Sequence, residues 1–119
     1  MTFRASILIA LFPAFLIAQG AGQPDRVLYD SAIGDIQHKR FERARLTLQT
    51  LTNTYATSEY LSPAKLAIAD SWYREGGARG LAQAEAECKD LILFYPAGAE
   101  ASKAKELLKK IQDARAKQK

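Results

Sequence analysis

Five side chains recur along the chain at a fixed distance: Phe41, Ala44, Leu48, Leu51 and Tyr55 are matched 40 residues later by Leu81, Ala84, Cys88, Leu91 and Tyr95. Within each set the positions run i, i+3, i+7, i+10 and i+14, which places all five on one face of a helix. Two equivalent amphipathic helices are expected. Another helical pattern precedes each, with Leu28, Ala32 and Ile36 striping the first segment and Leu61, Ala64, Ile68 and Trp72 the second. Pro24 before Asp25, and Ser62 before Pro63, stand near the starts of these segments, where proline and an acidic or hydroxyl side chain suit N–H groups without a helical partner. Breaks are expected at 38–40, 56–59, 76–80 and 96–98. A fifth segment, 100–117, carries Ala101, Ala104, Leu108 and Ile111 on one face. Its Ala104-Lys105 lies 40 residues after Ala64-Lys65, so it reads as the first helix of a third, unfinished repeat.

The expected fold is all-α: two helical hairpins, about 25–57 and 60–97, and a capping helix at 100–117, in a right-handed stack of antiparallel hairpins. One hairpin cannot bury its own apolar face, whereas stacked hairpins share a core. Ala32, Ala44, Ala69 and Ala84 let helices approach closely; Phe41, Tyr55, Trp72, Tyr73 and Tyr95 fill the space around them. The first helices of each pair are expected to line a shallow groove.

Residues 1–22 differ from the rest. Arg4 is their only charge, the run Ile7 to Ala18 is apolar apart from Pro13, and small residues follow at Ala18, Gly20, Ala21 and Gly22. That is the layout of a cleaved secretory signal peptide, with cleavage after Gly20 or Gly22, leaving a repeat domain at 23–119. An uncleaved N-terminal anchor of a membrane-held structural protein is the alternative. The apolar run is shorter than the roughly 20 residues a membrane span takes. No Cys lies between Met1 and Gln23 to accept a lipid, and Cys88 is the only one, so no disulfide forms within the chain.

Composition narrows the function less. The chain of 119 residues is 48% hydrophobic and 25% charged with a net charge of +4, an ordinary globular balance. Residues 23–102 hold 9 basic and 11 acidic groups, whereas 103–119 hold 7 basic groups against Glu106 and Asp113. The basic end reads as a solvated cap on the last helix, and neither nucleic acid nor a small molecule is an expected partner.

No constellation for catalysis, cofactor binding or metal binding stands out. His38 falls in a turn with Lys39 and Arg40, and Cys88 takes the core position equivalent to Leu48, where a thiol is inert. One Cys and one His cannot build a structural zinc site. Gly76 to Gly80 lacks the Lys-Ser/Thr of a phosphate loop and reads as a flexible connector. Glu85, Glu87 and Asp90 read as a solvated face. The candidates for partner binding are a basic patch of Lys39, Arg40 and Arg43, with Arg45 beside it, and Tyr73, which adjoins Trp72 and cannot share its contacts.

The spacing Ala32 to Phe41 to Ala44, and Ala69 to Leu81 to Ala84, followed by Leu91-x-x-x-Tyr95-Pro96, resembles tetratricopeptide repeats. The stretch from Tyr29 to Gly77, running on through Ala84 to Pro96, resembles the BamD family of outer-membrane assembly lipoproteins. Tyr95 to Ile111 is also similar to the end of the periplasmic CpoB (YbgF) proteins of the Tol-Pal system. Against the BamD pattern, this sequence lacks the lipid-anchor Cys, has fewer repeats, and has Ala56 where a proline usually follows the tyrosine. The resemblance implies an exported, non-catalytic scaffold in the periplasm or on the periplasmic face of the outer membrane, with envelope proteins or segments of them as partners. It further implies a role in outer-membrane protein assembly, or in Tol-Pal envelope maintenance for the CpoB likeness.

Overall fold

The computed structural model describes residues 23–118, so the signal-peptide reading of 1–22 lies outside the described residues. Five helices follow one another: α1 Pro24–Gln37, α2 Phe41–Thr54, α3 Leu61–Glu75, α4 Gly77–Phe94 and α5 Ala99–Lys117. Each packs on the next, and α3 also touches α1 and α5. This is the all-α, tetratricopeptide-like arrangement of two hairpins and a further helix.

The stripes read from sequence are the buried ones. Ala32, Ile36, Ala44, Leu48, Leu51, Ala64 and Ile68 form one cluster; Ala69, Leu81, Ala84, Cys88, Leu91, Ala101, Ala104 and Ile111 form a second. Trp72 packs against both. Leu48, Leu51, Leu91 and Ile111 are fully buried, each a side chain whose burial is worth about 2 kcal/mol. Phe41, Tyr55 and Tyr95 are half-buried at the helix ends.

The 40-residue register also compares the outward face of α5 with that of α3. Ala64, Ile68 and Ser71 of α3 correspond to Ala104, Leu108 and Ile111, which pack inward as their counterparts do. Ala69, Trp72 and Tyr73, which pack on the second cluster, correspond to Lys109, Gln112 and Asp113, all exposed. The face of α5 equivalent to the one by which α3 meets the second cluster is therefore polar.

Two expectations about helix ends need correction. The stretch 76–80 is not a connector: α3 and α4 are joined by Gly76 alone, and α4 starts at Gly77. Gly76 and Gly77 take φ of 77° and 72°, the left-handed region that glycine enters without penalty. Gly80 lies inside α4, at a position where a Cβ would sit 2.7 Å from the Trp72 carbonyl oxygen. Ser62 does not cap α3. Its hydroxyl donates to Glu100 Oε1 at 3.3 Å, tying α3 to the start of α5, and α3 has no side-chain cap. Pro24 does take the first position of α1.

Candidate functional site

The first helices of the hairpins and α5 line a groove of about 350 Å³. Tyr29, Ile33 and Ile36 of α1, Leu66 and Ala67 of α3, and Leu107 of α5 supply apolar surface. Gln37, Asp70, Arg74, Lys103, Glu106 and Lys110 supply the polar groups. Most of these residues stand one helical position off the core stripes, so they lean outward between neighbouring helices while the stripes close the core. Arg74 Nε donates to Asp70 Oδ2 at 2.8 Å, one turn apart on α3. The Tyr29 and Tyr60 rings pack with centroids 5.2 Å apart. Burial, then the charge of Glu100, pushes the Tyr29 hydroxyl above the usual phenol range. The volume falls within the range of pockets that hold a ligand, and the mixture suits an apolar side chain flanked by charges.

The four candidate binding residues do not come together. Lys39, Arg40 and Arg43 surround the end of α1. Lys39 has φ of 62°, and the N–H groups of Lys39 and Arg40 reach back to the carbonyls of Ile36 and Asp35 at 3.0 and 2.8 Å, closing the helix in a Schellman turn. Arg40 Nε donates to Asp35 Oδ1 at 2.9 Å, and Arg43 Nε lies 3.5 Å from Oδ2 of the same buried carboxylate. Two of the patch's three charges are therefore already paired. His38 is exposed in that turn, its Nδ1 2.9 Å from the Gly34 carbonyl. Tyr73 is half-buried against the second cluster and lies outside the groove lining.

Arg45 is not part of the patch. It is buried, and its guanidinium reaches from α2 into α3, donating to Ser71 Oγ at 3.2 Å and Glu75 Oε1 at 2.8 Å. It forms one wall of a second depression, of about 300 Å³, between α2, α3 and α4.

The acidic groups of α4 also do more than meet solvent. Glu85 pairs with Lys89 and with Arg115 of α5; the Lys89 bond first, with Arg115 adding to it, holds its carboxyl below the usual range. Glu87 is half-buried, and burial raises its carboxyl against the opposing charge of Lys65. Asp25 accepts from the Ser58 hydroxyl at 2.6 Å, which lowers it. Cys88 lies in the core, where burial pushes its thiol up to about 11. Among the described residues no cluster of His, Cys, Asp and Glu could hold a metal ion, and no helix is long and apolar enough to cross a membrane.

The groove residues are not singled out by sequence reasoning. The signal for them is the set of mixed polar and apolar positions beside the stripes of the first helices, which sequence alone does not separate from ordinary solvated surface.

The model of the YfiO outer membrane lipoprotein family matches residues 21–104. The chain belongs to this family. The match covers α1 to α4 and the first turn of α5, and so the whole apolar part of the groove except Leu107. It agrees with the BamD-like resemblance of the repeat segment; the likeness to CpoB proteins is not shown by it. No curated protein matches the chain. The one sulfur of a cysteine in this lipoprotein-family sequence, that of Cys88, is enclosed by the second cluster and so is not placed to carry a lipid in the folded protein.

Proposed function

We propose that the protein is a non-catalytic scaffold of the bacterial envelope that docks a segment of another envelope protein in the groove between α1, α3 and α5, in the service of outer-membrane protein assembly. Membership of an outer membrane lipoprotein family supports the compartment. The observation that carries the docking role is the groove itself: an apolar lining with charged groups on α3 and α5, formed by helices whose backbone hydrogen bonds are already made. The polar groups of the site are held by structural partners or exposed as single charges, an arrangement suited to recognition more than to acid–base chemistry.

A photoreactive amino acid at Leu66, in the groove, and another at the exposed Gln83 of α4 test the reading in intact envelopes. Conjugates to outer-membrane assembly proteins that form from position 66 and not from 83 are expected. Equal trapping from both positions, or none from 66, sinks the groove as the docking site. Envelope partners unrelated to assembly leave the scaffold and remove the assembly role.

A further inference from the structure

We propose, resting on the groove reading above, that the occupant is an extended segment of a partner protein with two acidic side chains three residues apart around an apolar pair. The charge arrangement of the groove carries this. Asp70 and Arg74 neutralise each other on α3, whereas Lys103 and Lys110 of α5 have no carboxylate within 4.0 Å among the described residues. Glu106 is the one acid between them in the groove lining. A lysine-bearing segment would meet two free ammonium groups, while an acidic one would find two partners.

The spacing sets the form of the segment. Lys103 and Lys110 are seven residues apart on one helix, hence about 10.5 Å along its axis on the same side. In an extended polyproline II segment, side chains three residues apart point the same way and lie about 9 Å apart. That conformation needs no backbone partners, and helices offer none; strand addition would need an open sheet edge, and the described residues contain no strand. With the two acids on the α5 side, one apolar residue between them faces Ile33, Leu66 and Leu107, and the other lies toward Tyr29, a flat aromatic wall of the kind that takes proline. Glu106 repels an acid placed at the centre, which fixes the acids at the two ends.

Fluorescence anisotropy of the full-length chain with three capped peptides tests this. One carries glutamates three residues apart around Leu-Pro, and the others replace both glutamates by glutamine or by lysine. The glutamate peptide is expected to bind about tenfold more tightly than the glutamine one, two exposed charge pairs' worth, and the lysine peptide most weakly. Lys103→Glu with Lys110→Glu is expected to reverse that order while leaving the circular dichroism spectrum unchanged, since both lysines are exposed. Equal binding of glutamate and glutamine peptides, or an order unmoved by the double variant, overturns the acidic occupant and leaves groove docking standing. Failure of all three peptides to bind overturns this occupant, while cross-linking from Leu66 against Gln83 decides the groove itself.

Discussion

The guanidinium of Arg45 lies 3.5 Å above the ring of Trp72, joining the second helix of one hairpin to the first helix of the next. Arg79 approaches the same ring from α4 at 5.4 Å. A buried arginine is stable only when its donors are used, and here Ser71 and Glu75 receive them. Arg45→Ala is expected to cost about 2 kcal/mol, the sum of a desolvated cation–π contact and the bonds lost with it. Arg45→Lys should recover only part of that, because an ammonium lacks the planar fork. Urea midpoints of the two variants check the order; a lysine variant as stable as the parent would show that charge alone suffices.

Two glycines inside helices should respond in opposite directions. Gly80→Ala places a Cβ 2.7 Å from a backbone oxygen that cannot move freely, and is expected to destabilise by about 1–3 kcal/mol. Gly34→Ala meets nothing within 4 Å and gains about 0.5–1 kcal/mol from helix propensity. Thermal melting of both variants reads the signs directly.

Lys39 occupies a left-handed position that glycine takes at no cost. Lys39→Gly is therefore expected to raise stability by about 1 kcal/mol, against the loss of an exposed charge that has no ion pair among the described residues. A lowered melting temperature would mean that the lysine side chain contributes more than its backbone costs.

Protonation should act on the two glutamates of α4 with opposite signs. Glu85 has a folded pKa below its ordinary 4.5, so its contribution is present above that value and is lost as pH falls through the folded one. Glu87 has a folded pKa above 4.5, so it favours the folded state at low pH and that contribution disappears as pH rises through the folded value. Glu87→Gln is expected to stabilise at pH 7 and to have little effect near pH 4, whereas Glu85→Gln should destabilise at pH 7. Denaturation curves at the two pH values separate the pair.

The Cys88 thiol, enclosed and pushed up to about 11, should resist a thiol reagent at pH 8 until the protein unfolds. Labelling in water and in urea distinguishes the cases; rapid labelling of the native chain would place the second cluster open to solvent.

The helices and their inner faces are legible in the sequence because each stripe, such as Ala44, Leu48 and Leu51, is a local property of one helix. What escapes depends on neighbours. Arg45 sits among Lys39, Arg40 and Arg43 in sequence, and only the arrival of Ser71 and Glu75 from α3 distinguishes it. Ser71 in turn stands where the register has Ile111, a polar residue at a core position, and that mismatch is the one trace of Arg45's burial in the sequence. Gly80 resembles loop punctuation because the Trp72 carbonyl that excludes a side chain belongs to another helix. The groove is legible as a place, lined by first helices, but its residues are not, since a cleft exists only between elements.

The polar substitutions on α5 bear on how such a protein can change its length. With Lys109, Gln112 and Asp113 on that face, a hairpin packed there would meet polar side chains where α4 meets Ala69, Trp72 and Tyr73. An inserted hairpin between α4 and α5 would instead meet the apolar surface of α4 on one side and that of α5 on the other, and would extend the groove by one more first helix. Growth from within, with the polar face of α5 carried along, is a route this architecture leaves open.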